Sequence, residues 1–487
     1  MTTSKYLSPK TWADYIGRHV IRKYVARIVP QMSSESLTDQ VSKSAQLTDG
    51  HELVSGDVSR ILMIVENTFP HDPRVWNEAT TLVAAGYKVT VISLRSKADK
   101  AYDKIAGIDV YRFRRVTLFK KVPRQSSSFF AKATIALKAL IGYGFEHAYF
   151  TVGSLLLSLY ICAKVKLDVI HLHNPPDTLF VVAACFKLFG KKVVFDHHDL
   201  SPELYLSRYN KSHSKGAMVY QTLRILEKLS LKLADLVITT NESYREIDIR
   251  RCGIDPRKVF VVRNGPDVNR LKMTTPDSKL IEMQKTILVY IGVMGPQDGV
   301  DYLLRALRHL VYDLGRTSVY CVVIGNGDSV GDLKALAREL KIDEYLWFTG
   351  YIPDDDLIRY LSTADICVCP DPSSPLNDVS TWIKIMEYMG HAKPIVTFDL
   401  KETRVSAGDA AIYVKPNDEA EFAKAIAQLM DAPELRLRMG YWGRRRVEND
   451  LQWSKVGRNL LVAYNALCPR NEGLNSLGVN DCPESYD

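Results

Sequence analysis

The chain has 487 residues, too long for one ordinary domain and ample for two that each bury a core. Hydrophobic residues make up 46% and charged residues 25%, which reads as a soluble globular protein and excludes a disordered one. The formal charge of +8 is spread over the whole length, so it favours anionic partners only mildly: phospholipid surfaces and sugar diphosphates qualify, and charge alone does not exclude nucleic acid.

Residues 1–58 differ in character from the rest of the chain. Lys5 and Lys10 are not followed by an apolar run of secretory-signal length. Residues 12–28 carry apolar side chains at helical spacing with Arg18, Arg22, Lys23 and Arg27 between them, and 32–57, rich in Ser, Thr, Asp and Gly, reads as a linker. From Arg60 the pattern changes. Residues 61–65 (Ile-Leu-Met-Ile-Val) form a continuous apolar run, which predicts a strand buried on both faces of a parallel sheet. A helix over 75–85, a stop at Gly86 and a strand over 88–93 come next. The alternation recurs with strands at 169–173, 192–195 and 236–239. The apolar segment 151–163 is shorter than the roughly 18 residues of a spanning helix, so a buried helix is expected there.

After Asn264-Gly-Pro-Asp267 the series restarts, with strands predicted at 287–291, 318–324, 345–348, 366–369 and 395–398 and an amphipathic helix at 330–340. Strand–helix alternation implies doubly wound parallel sheets. The expected fold class is α/β, with two Rossmann-like domains facing across a cleft: an extension at 1–58, a first domain at 59–268, a second at 269–467 and a tail at 468–487. Ligands of such sheets bind beyond the carboxyl ends of the strands. The eight cysteines (162, 185, 252, 321, 367, 369, 468 and 482) have no zinc-type spacing and are expected as free thiols in a reducing compartment. A cytoplasmic protein, able to touch a membrane peripherally, is the expectation.

Several motifs converge. Gly325-Asn-Gly327, Leu333, Phe348-Thr-Gly350-Tyr-Ile-Pro353, Ala364-Asp365, Pro370, and Glu387 ahead of Lys393-Pro-Ile-Val396 succeed one another in the second half. The first half carries Asp72-Pro-Arg-Val75, Asn77-Glu-Ala79, Ala85-Gly86, His171-Leu-His-Asn-Pro-Pro-Asp177 and Phe195-Asp-His-His-Asp199. Over roughly 60–467 this order and spacing resembles glycosyltransferase family 4, especially a bacterial polysaccharide-assembly branch. Gly325-x-Gly327 lacks the third glycine of a dinucleotide fingerprint, and no P-loop occurs.

The resemblance implies a GT-B fold and a retaining, metal-independent hexosyl transfer. The sugar would pass from a nucleotide-diphosphate donor to a hydroxyl acceptor, a lipid-linked glycan of cell-surface polysaccharide synthesis. No cofactor and no nucleic-acid partner are expected. Glu387 would hold the ribose hydroxyls, and His198 would lie against the transferred sugar and the leaving phosphate, with Asp199 beside it. Of the adjoining histidines, His197 is expected to be structural, and His171, two residues inward, core. His173, Asn174 and Arg74 are expected on the acceptor side. Gly292, Gly295 and Tyr351 join the donor site. So do Ser380 and Thr381, expected to cap a helix over 382–389 whose N-terminus suits a diphosphate. Two departures stand out. The family's basic pair on the diphosphate is replaced by Val293 and Asp298, and its first motif glutamate by Val379. Lys384, one turn before Glu387 on a shared face, is the expected substitute cation, aided by the 292–299 loop. Asp354-Asp-Asp356 reads as a helix start, not a metal site. The basic stretch Arg112, Arg114, Arg115, Lys120, Lys121 and Arg124 is a candidate surface for anionic lipid. Two other classes stay open: a nucleotide-sugar epimerase, and a catalytically silent sugar- or lipid-binding scaffold.

Overall fold

The computed structural model describes residues 59–116, 129–209, 217–267 and 271–468. The expected extension at 1–58, the tail beyond 468, and Lys120, Lys121 and Arg124 lie outside the described residues. The first sheet contains β1 (Arg60–Thr68), β2 (Lys88–Arg95), β3 (Tyr102–Ile105), β4 (Ile108–Arg114), β5 (Val169–His173), β6 (Lys192–His197), β7 (Leu236–Thr239) and β8 (Val259–Val261). Its order is β3-β4-β2-β1-β5-β6-β7-β8, parallel except for the β3–β4 hairpin. The second sheet contains β9 (Thr286–Ile291), β10 (Val319–Ile324), β11 (Leu346–Gly350), β12 (Ile366–Cys369), β13 (Ile395–Phe398) and β14 (Ala411–Val414). All its strands are parallel, ordered β11-β10-β9-β12-β13-β14.

β1 shows why the apolar runs become central strands. Leu62 and Ile64 enter the core on one face of the sheet, while Ile61, Met63 and Val65 enter the core on the other. A strand sandwiched between two helix layers has no solvent face, so every position is apolar. The helix Pro73–Ala84 starts where Asp72 accepts hydrogen bonds from the amides of Arg74 and Val75, with proline in the first turn. It ends before Gly86, whose φ of 83° needs glycine.

Three helices, Phe129–Lys164, Phe180–Leu188 and Ala217–Leu233, cover one face of the first sheet through Phe150, Leu157, Ile161, Val182, Phe186 and Leu231. The expected buried helix at 151–163 is thus the inner face of a longer one. Its part Gly144–Lys164 is long and apolar enough to cross a membrane by length and composition alone. The last described helix, Arg458–Leu467, leaves the second domain and packs Leu460, Ala463 and Tyr464 into the first domain's core. The expected boundary at 467 therefore misplaces this helix. Its apolar stripe complements the face of the first sheet that Ile61, Met63 and Ile238 line, not the second sheet. None of the seven cysteines among the described residues is in a disulfide.

Candidate active site

The first-domain half is built at the carboxyl end of β6. Asp196 is fully buried, and its carboxylate accepts two hydrogen bonds from Arg74, from Nε at 2.7 Å and Nη2 at 2.6 Å. The same carboxylate meets His173 Nδ1 at 2.9 Å and His198 Nδ1 at 3.2 Å. Burial opposes ionisation of Asp196, but Arg74 holds it well below the usual carboxylate range. Burial likewise opposes the charged form of His198, and Asp196 outweighs it, raising this ring above the ordinary histidine range. His173, wholly enclosed, is pushed down by burial and stays neutral. Asn174 finishes the frame: its Oδ1 accepts from the amides of His198 (2.9 Å) and Asp199 (3.2 Å), and its Nδ2 donates to the Asp199 carbonyl (2.6 Å).

His198 alone of this cluster reaches the surface, with 16% of its side chain exposed. Arg74, His173 and Asn174 were expected to line the acceptor side; all three are buried and serve as its support. For His173 and Asn174 the reason is local, since β5 is enclosed along its whole length; Arg74, on the helix Pro73–Ala84, is held inward by Asp196. His197 is structural as expected, bonded to Asp248 at 2.8 Å and close to Glu227. His171 is core, bonded to the Tyr464 hydroxyl at 2.9 Å. Glu78, His171, His173 and Asp196 bring four ligand-type atoms within 4.8 Å of one another. Arg74 lies on both carboxylates, 3.2 Å from Glu78, and burial pushes Glu78 well above the usual carboxylate range, toward its neutral form.

The second-domain half lies at the ends of β9, β10 and β12. Here two glycine loops touch backbone to backbone. A Cβ on Gly325 would sit 1.9 Å from the Gly292 carbonyl, and one on Gly299 2.0 Å from the Pro370 carbonyl. The amides of Gly292 and Gly295, expected to serve the donor, are already engaged by the Ile324 carbonyl and the Asp298 carboxylate. Lys384 is also occupied. Its ammonium donates to both oxygens of the buried Asp371 at 2.9 and 2.8 Å, and sits over the rings of Tyr290 and Trp382. Burial disfavours its charge, but Asp371 more than restores it. The expected free cation is therefore corrected to one half of an internal ion pair. Its surroundings also differ from those of Glu387, one turn later on the same helix. That residue is half-buried and lines a crevice with Leu271, Asp354, Leu357, Leu361 and His391. Tyr351, just before that crevice's helix (Asp354–Thr363), is 86% exposed.

The halves meet directly. Asn241 Nδ2 donates to the Val379 carbonyl and to Thr381 Oγ1, each at 2.9 Å, and the Tyr244 hydroxyl is 3.2 Å from Ser380 Oγ. Ser380 and Thr381 are thus interdomain contacts. The helix they were expected to cap runs Ile383–Gly390 with Trp382 at the N-cap and no side-chain cap. Val379 packs, with Leu204 and Ile247, against the cluster of Leu200, Tyr244 and Leu376, so a valine fits where the family has its glutamate.

Two family models match this chain, described as Glycosyltransferase Family 4 over residues 74–270 and Glycosyl transferases group 1 over 285–432. Between them they take in both sheets and both halves of the cleft. The chain belongs to glycosyltransferase family 4. This glycosyltransferase is 24% identical to the alpha-maltose-1-phosphate synthase of Mycolicibacterium smegmatis over 296 residues, 57% of this chain and 73% of that protein. It is 23% identical to the glycogen synthase of Mycobacterium tuberculosis over 392 residues, 79% of this chain and 88% of that one. Among solved structures, sucrose-phosphate synthase from Thermosynechococcus elongatus matches with a TM-score of 0.63 at 19% identity, covering 84% of this chain and 99% of that one. Anabaena HepE in complex with UDP-glucose matches at 0.59 and 17%, with the same coverage. The glycosyltransferase has the GT-B fold, is of the retaining hexosyltransferase type and depends on a nucleotide-sugar donor. Its polar frame around Asp196 was not foreseen from the sequence, although a carboxylate inside an apolar strand, two residues before a histidine at the strand's end, was the available signal.

Proposed function

We propose that this enzyme transfers a hexose from a nucleotide-diphosphate sugar to a hydroxyl of a lipid-linked glycan in cell-surface polysaccharide synthesis, working in the cytoplasm at the membrane face. The observation that carries the catalytic part is His198, held at the cleft edge by Asp196 and Asn174 opposite the second-domain loops. A ring so held presents Nε2 to the cleft, where it can stabilise charge as the bond between the anomeric carbon and the diphosphate breaks and a bond to the acceptor oxygen forms. Glu387 binds the ribose hydroxyls, and Tyr351 and Asp199 flank donor and sugar. Binding of UDP-glucose by Anabaena HepE supports a uridine nucleotide as first choice of donor. The exposed Arg114 and Arg115 and the apolar outer faces of the sheet-covering helices support membrane contact.

Thermal shift against uridine, guanosine and adenosine diphosphate sugars, followed by transfer assays with His198→Ala, tests the reading. Turnover should fall far more than donor affinity. Sugar released without any acceptor dependence would point to an epimerase, and near-normal turnover in His198→Ala would remove this residue's role.

A further inference from the structure

A nucleotide-sugar diphosphate carries two negative charges, and a cleft that excludes water must meet them with a cation. Among the described residues, the positions where the family keeps its basic pair do not offer one. Val293 is exposed and neutral, Asp298 is acidic, and Lys384 is held by both oxygens of Asp371. Two carboxylates and one ammonium leave this pocket with an excess of negative charge.

The first domain has a candidate. The helix Ser201–Tyr209 starts directly after His198, Asp199 and Leu200. Leu200 and Leu204 pack across the cleft against Leu376 and Val379, which fixes the face that this helix turns to the second domain. Arg208 comes one turn after Leu204 on that face. Its side chain is exposed and has no ion-pair partner among the described residues. It lies close enough to Asp199 on its own domain and to Asp298 on the other to bias the titration of both. A cation between two carboxylates, bonded to neither, is free to take a stronger anion.

We propose that Arg208 reaches across the cleft and binds the donor's diphosphate, supplying from the first domain the charge that Val293 and Asp298 do not supply from the second. A guanidinium suits the task because its parallel N–H groups can span two phosphate oxygens. The donor would then touch both domains through its diphosphate, so that binding it also holds the cleft shut. The inference rests on the proposed function for the identity of the ligand.

The test compares Arg208→Gln and Arg208→Lys with wild type, by calorimetry against UDP and uridine, with GDP and ADP and their nucleosides as further probes. Arg208→Gln should bind the preferred nucleoside diphosphate at least tenfold more weakly, with the nucleoside unchanged, a shallower salt dependence and lower turnover. Arg208→Lys should recover part of the loss. Because Arg208 is exposed, its variants should melt as wild type does. An equal loss for diphosphate and nucleoside, or no loss for either, overturns the proposal, as does a rise confined to the KM of the acceptor. Wild type that binds none of these diphosphates would instead take down the proposed function itself.

Discussion

Asp298 shows how one residue can set a pH dependence. It stands where the family has a basic side chain, and burial, reinforced by Asp371, raises its pKa to about 6. Above that value the ionised carboxylate repels an incoming diphosphate; below it the neutral acid does not. Donor affinity should therefore rise as pH falls through about 6, whereas Asp298→Asn should stay level and bind more tightly at pH 8. Titration calorimetry of both proteins between pH 5 and 8 checks this, since other groups cancel in the comparison; parallel curves would disprove it. Asp196 makes the second case. In Asp196→Asn, His198 loses the charge that lifts its pKa, so the limb of the pH–rate profile belonging to that ring should move to lower pH, with donor affinity kept. The same change leaves Arg74 short of its main partner and should cost about 3–5 kcal/mol of stability, as breaking a buried pair does. Denaturant melts measure that cost, and a rate profile that does not move would leave Asp196 with a structural role alone. The place of His198 was legible because it directly follows a strand's apolar run. The partnership of Asp196 was not, because it is made by β5, the end of β6 and the helix Pro73–Ala84 together.

At the scale of elements, runs such as 61–65 and 287–291 were readable since a strand enclosed on both faces must be apolar throughout. β3, β8 and β14 were missed: all three are edge strands of only three or four residues, too short for a run to stand out. β4 was taken for part of a basic surface. Its alternation instead turns Arg112 inward, where the guanidinium donates to the carbonyls of Phe69 and Lys100, leaving Arg114 and Arg115 exposed. The Tyr149 hydroxyl bonds the Arg114 carbonyl, so these arginines border the helix Phe129–Lys164. Along the three sheet-covering helices, Phe145, Val152, Val181, Leu188, Met218 and Ile225 are exposed. Lys228 and Lys232 stand among them, while the acidic Glu227 of the same helix is fully buried. Such a face matches an anionic lipid surface. The full chain should co-sediment with vesicles of phosphatidylcholine and phosphatidylglycerol at low salt. Leu188→Glu with Ile225→Glu should abolish this, and Lys228→Gln with Lys232→Gln should weaken it by about fivefold per lysine. Equal sedimentation of all three proteins would exclude the face as a lipid contact.

For the whole molecule, the two-domain plan was readable from the restart of the strand series, but the way the domains join was not. Tyr464 reaches His171 over 293 residues of sequence, and Asn241 reaches Thr381 over 140; no local pattern announces either. The closed junction also decides how Val379 should respond to change. Restoring the family's residue, Val379→Glu, would push a carboxylate among Leu200, Leu204, Tyr244, Ile247 and Leu376. A carboxylate there displaces apolar contacts, and the junction can relieve this by opening or by turning the acid toward Arg250, Arg251 and Lys401, which line the same crevice as the half-buried Val379. Opening breaks the Asn241 and Tyr244 contacts but leaves each sheet intact, so thermal melting of the domains should barely move. Small-angle scattering should report a larger radius of gyration, and the donor KM should rise because the two half-sites no longer meet. A Val379→Glu enzyme as compact as wild type, with donor bound more tightly, would mean that this position faces the substrate after all and that the apolar contact is dispensable for closure.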